Sequence, residues 1–89
     1  MKEYRVNRVN QVRGFIGKHT NQAIDYFGPW IDKSFAIKFM RKEFDYCIRF
    51  MEEQGMSYKI EDYSEDHCKV TNKHNKHEYF EFYLKSVTR

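Results

Sequence analysis

The fold depends first on residues 34–55, which read SFAIKFMRKEFDYCIRFMEEQG. Ser34 is a good N-cap residue, Gly55 is a good residue to follow a helix, and no Gly or Pro interrupts the residues between them. Apolar side chains recur at helical spacing and form one stripe: Ile37, Met40, Phe44, Cys47, Ile48 and Met51. We therefore predict one long helix over residues 34–54.

A second group of apolar side chains lies elsewhere on this helix and consists of Phe35, Phe39, Tyr46 and Phe50. At about 100° per residue, these rings lie about 140° from the first stripe, so apolar residues occupy more than half of the helix circumference. A helix with one side on a sheet and its back to water needs far fewer apolar residues. Either the N-terminal segment or another chain must therefore cover these rings, and we expect them to mediate self-association as a C2 homodimer.

The remaining side of the helix is charged. Arg41 and Asp45, Asp45 and Arg49, and Arg49 and Glu53 are each four residues apart, the separation at which opposite charges meet on a helix surface. Each such pair stabilises a helix by a few tenths of a kcal/mol. This pattern predicts a solvent-facing side that carries internal ion pairs.

The hydrophobic period changes to two after Gly55. Apolar residues alternate with polar ones in three segments, Met56 to Ile60, Cys68 to Val70, and Phe80 to Leu84. The last segment has the highest β propensity and one fully apolar face, which we expect to meet the first stripe of the helix. The three segments predict an antiparallel meander over residues 56–87.

The chain before the long helix has a less regular pattern. Residues 5–13 contain valines three positions apart, which fit neither helical nor strand periodicity, so we interpret residues 1–19 as a basic N-terminal segment in an irregular hairpin. Thr20 can cap a short helix over residues 20–28, which Gly28 and Pro29 would end. The expected fold class is α+β: a long helix packed on a three-stranded antiparallel meander, preceded by the basic segment and the short helix, in a single domain over residues 1–89.

The composition limits the class of protein. Of the 89 residues, 40% are hydrophobic and 33% are charged, which is too apolar for a disordered chain and too charged for a membrane protein. The chain has no apolar run long enough to span a membrane, and its N-terminus does not read as a signal peptide. We expect a cytoplasmic protein that binds no membrane, with Cys47 and Cys68 as free buried thiols.

The histidines near the C-terminus are the candidate metal-binding and catalytic residues. Cys68, His74 and His77 follow a Cys-x5-His-x2-His spacing, which matches no zinc finger, and we interpret the histidines as solvated turn residues. We therefore expect no metal, no cofactor and no catalytic residue. A nuclease-like enzyme that uses His67, His74 and His77 for proton transfer is a third hypothesis for the function.

The candidate binding residues lie in the basic segment and at a turn. Residues 1–24 carry five cationic side chains and one carboxylate, in a chain whose formal net charge is +3. Cations bind phosphates, Tyr rings stack on bases, and an exposed Trp anchors protein interfaces. The expected binding residues are Tyr4, Arg5, Arg8, Arg13, Lys18 and Trp30.

The composition is also biased in a specific way. Leu84 is the only leucine, Ala23 and Ala36 are the only alanines, and Lys, Asn, Ile, Tyr and Phe are abundant, which is the bias that AT-rich coding sequence produces. In this respect the chain resembles the small accessory proteins of large tailed bacteriophages, many of which bind and block a host protein or a defence system. The resemblance implies a non-enzymatic inhibitor or adaptor that contacts a host protein in the host cytoplasm. The alternative is a small RNA- or DNA-binding protein that uses the basic N-terminal segment.

Overall fold

A computed structural model describes residues 1–12 and 23–88. These residues form five strands and one helix, in the order β1 (Lys2–Asn10), β2 (Ala23–Trp30), α1 (Lys33–Glu53), β3 (Tyr58–Tyr63), β4 (His67–Asn72) and β5 (Asn75–Thr88). The strands form one antiparallel sheet with the spatial order β2-β1-β5-β4-β3. The helix α1 packs on one face of this sheet, mainly over β5, β1, β2 and β4.

The expected fold class is wrong in its sheet and in its N-terminal part. The strands of the expected meander are present as β3, β4 and β5, but β1 and β2 extend the same sheet beyond β5. The expected basic segment is therefore, over residues 2–10, a strand in the interior of the sheet. The short helix expected over residues 20–28 is also wrong, because its described residues, 23–28, belong to β2.

β1 forms a strand although its sequence does not alternate in hydrophobicity. Val6, Arg8 and Asn10 all face α1 and are buried, whereas the residues between them face the other side of the sheet. Two of the three buried side chains are polar, so the alternation exists in burial and not in residue type. Asn10 Oδ1 accepts a hydrogen bond from the Val12 N–H at 3.0 Å, and Arg8 forms ion pairs, which compensate the burial of the Asn10 amide oxygen and of the Arg8 guanidinium.

β2 is the edge strand of the sheet that the described residues form, and this position accommodates Gly28 and Pro29. Proline lacks an N–H, which is tolerated where the outer side of a strand has no ladder hydrogen bonds to make. The register between β1 and β2 shifts between Tyr4 and Val6, opposite Gly28. Gly28 has a φ of +106°, in the region that favours glycine, so it suits this irregularity.

The helix α1 lies within one residue of its expected bounds at each end. Its N-cap is Asp32 instead of Ser34: the Asp32 carboxylate accepts hydrogen bonds from the Ser34 N–H at 2.9 Å and from the Ser34 hydroxyl at 2.7 Å. These bonds lower the pKa of Asp32. Gly55 follows the helix with a φ of +73°, as expected of a residue at this position.

The core lies between α1 and the sheet. From the helix it contains Ala36, Met40, Phe44, Cys47 and Met51, and from the sheet it contains Val6, Cys68, Val70, Phe80 and Phe82. Both cysteines are free thiols, as expected. Burial raises the pKa of Cys47 to about 12 and that of Cys68 to about 11, so both thiols are protonated at neutral pH.

β2 and β5 cover part of the second group of rings on α1. The ring centroid of Phe39 lies 5.1 Å from that of Phe27 and 4.8 Å from that of Trp30. Phe50 packs edge-on against Phe80, with a centroid distance of 6.4 Å. The cover of Phe39 thus comes from β2 and that of Phe50 from β5, both of the same chain.

Phe35 and Tyr46 are the members of this group that stay exposed at the surface of α1. The expected homodimer through Phe35, Phe39, Tyr46 and Phe50 stays a prediction, and Phe35 and Tyr46 are the side chains that a second copy could contact directly. Among the described residues, no helix is both long enough and apolar enough to cross a membrane.

Candidate functional site

The face of the sheet opposite α1 is uncovered by any described helix or strand. The strand registers place one side chain from each of four neighbouring strands in a row on this face: Tyr26, Asn7, Tyr83 and His67. The adjacent row crosses the whole sheet and contains Ile24, Val9, Glu81, Lys69 and Asp62. We call the surface around these two rows the open face.

Three tyrosine rings lie on the open face. Tyr26, on the edge strand β2, is 71% exposed. Tyr83 lies in the centre of the sheet, with its ring centroid 5.0 Å from the His67 ring and 5.9 Å from the Lys85 ammonium. These contacts restrict the Tyr83 ring, so it has less conformational entropy to lose when a partner binds.

The third ring, Tyr79, lies farther along β5 on the same face, opposite Thr71 of β4. The Lys69 ammonium lies 4.8 Å from its ring centroid, within the range of a cation–π interaction. Tyr79 and Tyr83 are both partly buried by such neighbours. The open face therefore presents two rings, Tyr79 and Tyr83, that are held in place before any partner arrives.

His67 lies between two carboxylates and links three strands. Its Nδ1 is 2.6 Å from Asp62 Oδ2 on β3, and its Nε2 is 2.6 Å from Glu81 Oε2 on β5. Partial burial acts to lower the pKa of His67, but the hydrogen bonds to both carboxylates outweigh it, so the pKa is raised. The geometry favours the imidazolium form, in which both ring N–H groups donate.

The pKa values of the two carboxylates that contact His67 are lowered. The hydrogen bond from His67 lowers the pKa of Asp62. For Glu81, desolvation acts to raise the pKa, and hydrogen bonds from His67 and Tyr83 outweigh it and lower the pKa. Burial, together with the hydrogen bond to Glu81, raises the pKa of Tyr83 to about 12. The cluster is thus an ionic link across β3, β4 and β5 with a neutral tyrosine beside it.

The contribution of this cluster to stability should be greatest in mildly acidic solution. A raised His67 pKa contributes stability below the ordinary value of 6.5 and loses it as the pH rises through the folded value. The lowered pKa values of Asp62 and Glu81 contribute above their ordinary values of 3.8 and 4.5 and lose it as the pH falls. We therefore expect the contribution to be greatest between about pH 4.5 and 6.5.

Urea unfolding of the wild type and of His67→Gln across this range measures the effect. The wild type should lose stability relative to the variant as the pH rises above about 6.5. His74→Gln, a substitution in the exposed β4–β5 turn, is the matched control and should follow the wild-type profile. A stability difference between the wild type and His67→Gln that is the same at about pH 5.5 and pH 9 would refute the proposed link.

Arg8, one of the expected binding residues, lies inside the protein. It is 4% exposed, its Nε and Nη2 donate to Asp25 Oδ2 at 3.0 and 2.7 Å, and its Nη1 is 3.6 Å from Glu43 Oε1. Its guanidinium also lies 5.1 Å from the centroid of the Phe27 ring. Arg8 therefore joins β1 to β2 and to α1, and it is not available to a phosphate at the surface.

The other expected binding residues are distributed over different parts of the chain. Tyr4 and Trp30 pair across β1 and β2 on the side of the sheet that faces α1, and Trp30 packs on Phe39. Arg5 alternates with the buried residues of β1 and belongs to the open face, opposite Lys85. Arg13 and Lys18 lie outside the described residues. The described members of this set do not form one site.

The histidines of the enzyme hypothesis are also apart from one another. His67 is in the ionic cluster on the open face, whereas His74 and His77 lie at the exposed β4–β5 turn. The N–H of His74 donates to Asn72 Oδ1. Within residues 1–12 and 23–88, no three side chains of the His, Cys, Asp or Glu type are arranged to hold a metal ion.

The tyrosines of the open face were absent from the expected site. The alternation in β5 assigns Tyr79, Glu81 and Tyr83 to one side of that strand, which was a usable signal. Tyr26 could not be grouped with them, because residues 20–28 were interpreted as a helix.

Comparisons with known proteins return no match: no family model, no curated protein and no solved structure matches this chain.

Proposed function

We propose that this chain is a non-enzymatic binding protein that acts on another protein by surface contact through the open face. The observation that carries the proposal is a sheet face uncovered by described elements, on which three tyrosine rings lie beside the aliphatic Ile24 and Val9. Tyrosine is enriched in protein interfaces and at their energetic hot spots. Rings already restricted by neighbours gain contact area at low entropic cost.

The charges of the open face favour a protein partner over a nucleic acid. The face carries cations and carboxylates together: Arg5, Lys59, Lys69, Lys85 and the His67 imidazolium with Glu3, Asp62 and Glu81. A surface that binds phosphates is expected to be predominantly cationic, because each contact neutralises one negative charge. Charges of both signs instead suit a protein surface, where complementary pairs set orientation and partner choice.

The proposed partner is a host protein or a component of a host defence system, which the chain would block or adapt. This part of the proposal comes from the compositional resemblance to phage accessory proteins. The alternative, RNA or DNA binding by the N-terminal segment, has less support, because Arg8 is buried in ion pairs and Arg5 lies on the open face.

Affinity capture from a bacterial host lysate tests the proposal when it is combined with a variant. Tyr26→Ala should leave the fold intact, because this side chain is largely exposed, and should weaken capture of a protein about tenfold or more, which corresponds to about 1.4 kcal/mol. Tyr46→Ala, an exposed tyrosine on the opposite side of the domain, is the matched control and should capture as the wild type does.

Nuclease treatment of the lysate separates the two partner classes. Under the proposal, the captured protein remains bound after nuclease treatment and is lost with Tyr26→Ala. Capture that disappears with nuclease would instead favour a nucleic acid. Equal capture by the wild type and Tyr26→Ala would show that the open face is not the binding surface.

A further inference from the structure

The solvent-facing side of α1, next to β3, forms a second surface, distinct from the open face. A groove of about 680 Å³ on this side is lined by Ile37, Lys38, Arg41, Lys42, Asp45 and Arg49. The Arg41 guanidinium lies 5.0 Å from the centroid of the Tyr63 ring, which places β3 beside the groove. We call this surface the cationic groove.

The groove exists because the helix does not cover β3. Ile60 and Tyr63 pair with the buried Val70 and Cys68, so their side chains project from the α1 side of the sheet. They are nevertheless 47% and 48% exposed, because α1 packs over the neighbouring strands. An apolar and aromatic strip of β3 therefore lies open next to the charged side of the helix.

The charge of the groove is mainly positive, and its cations form no close ion pairs within the part of the chain that the structure describes. Its lining contains four cations and one carboxylate, a local net charge of +3, which equals the formal net charge of the whole chain. The prediction of ion pairs among Arg41, Asp45, Arg49 and Glu53 is wrong. Among the described residues, no carboxylate oxygen lies within 4.0 Å of a cationic nitrogen of this lining.

The cations are arranged along a line. Lys38, Lys42 and Arg49 are separated by about 6 Å and about 10 Å along the helix axis, at 1.5 Å per residue. This spacing follows an extended chain of anionic groups and does not enclose one small anion. A surface whose charges are mostly cationic raises the local concentration of such a polyanion.

The Tyr63 ring supplies the second feature of the groove. One part of it lies near Arg41 and Phe44, and almost half of its surface remains exposed. Cations that follow a backbone, together with a ring on which a base can stack, are the two parts of a single-strand nucleic-acid site. An acidic peptide would match the cations but would have no base to place on the ring.

We propose that the cationic groove binds single-stranded nucleic acid, with phosphates along Lys38, Lys42 and Arg49 and a base on the exposed part of Tyr63. The groove and the open face lie on opposite sides of the sheet, so this proposal goes beyond the proposed function and does not depend on it. A chain with both surfaces can hold a protein and a nucleic acid at the same time.

Fluorescence anisotropy with a labelled oligothymidine of about 15 nucleotides, between about 50 and 200 mM salt, tests the proposal. Three to four phosphate contacts should give a log–log salt slope of about −2 to −3. Lys42→Ala and Arg49→Ala should each reduce the magnitude of this slope by about 0.7. Tyr63→Leu, which keeps an apolar side chain against Phe44, should weaken binding about tenfold and leave the slope unchanged.

Lys85→Ala is the charge-matched control, because Lys85 lies on the open face. It should leave both the affinity and the slope close to those of the wild type. The proposal is overturned if Lys85→Ala reduces the slope as much as Lys42→Ala does, or if no binding occurs below about 100 µM protein at the lowest salt. It is also overturned if polyglutamate competes as well as the oligonucleotide and Tyr63→Leu has no effect, the result expected for an acidic-protein site.

Discussion

Replacement of Phe44 by alanine is expected to lower the free energy of unfolding by about 3 to 5 kcal/mol, much of the stability of a domain this small. Phe44 is fully buried at the centre of the stripe that α1 places on the sheet. Its ring packs edge-on against Phe82 with a centroid distance of 6.0 Å and lies 5.7 Å from the Tyr63 ring. The substitution leaves a cavity between helix and sheet that neighbouring side chains fill only in part.

Phe35→Ala is the matched control for this experiment. It makes the same chemical change in the same helix, but Phe35 is 58% exposed. Its effect should stay within about 0.5 kcal/mol, the range for surface substitutions. Urea denaturation followed by far-UV circular dichroism measures both variants, and equal losses would contradict the assignment of the buried and outer sides of α1.

The helix could be predicted from the sequence because its information is local. The apolar stripe, the uninterrupted length of the helix and the Gly55 that follows its last turn can all be read from residues 34–55. No distant residue is needed to interpret them. The prediction of the N-cap at Ser34 is wrong, because Asp32, which also belongs to the residue types that cap helices, accepts the hydrogen bond from the Ser34 N–H. The three strands after the helix were predictable for the same reason, since each alternates within a few residues.

β1 and β2 could not be predicted in this way, because their burial depends on pairs that are distant in sequence. Arg8 occupies a buried position on account of Asp25, which is 17 residues away, and Glu43, which lies on α1. Without those partners a buried arginine is improbable on solvation grounds, so the basic repeat was interpreted as a surface segment. Gly28 and Pro29 end a helix as readily as they occupy an edge strand, and only the sheet topology distinguishes the two.

The sequence alone predicts the two candidate surfaces to different extents. The open face needs the pairing of β1 with β2 and β5, which brings Tyr26 and Tyr83 into one row. For the cationic groove, the sequence predicts that Arg41 and Arg49 pair with Asp45 and Glu53, because these residues are four positions apart. Helix spacing fixes which side chains are neighbours, and it does not decide whether they bond to each other or turn towards an external anion.

The second large effect is expected at Asp25, where alanine should cost about 2 to 4 kcal/mol. This substitution leaves the Arg8 guanidinium in the interior without its two shortest ion-pair contacts, at 2.7 and 3.0 Å, and with Glu43 at 3.6 Å. The loss of a partner from a buried pair generally costs more than this, but the Asp25 side chain is 33% exposed, so solvent already weakens the interaction. Asp45→Ala removes an exposed carboxylate of α1 as a control and should change stability by less than about 0.5 kcal/mol.

A double variant separates two effects: the destabilisation caused by a buried Arg8 charge that has lost Asp25, and the stability that the Arg8–Asp25 ion pair contributes. Arg8→Met combined with Asp25→Ala removes the buried guanidinium and leaves an apolar side chain over the Phe27 ring, so it should be more stable than Asp25→Ala alone. The same double variant should bind oligothymidine as tightly as the wild type does, because Arg8 lies far from the cationic groove, on the β2 side of α1. A double variant that is less stable than Asp25→Ala, and that also loses affinity for the oligonucleotide, would contradict the interior role of Arg8 and return it to the set of binding residues.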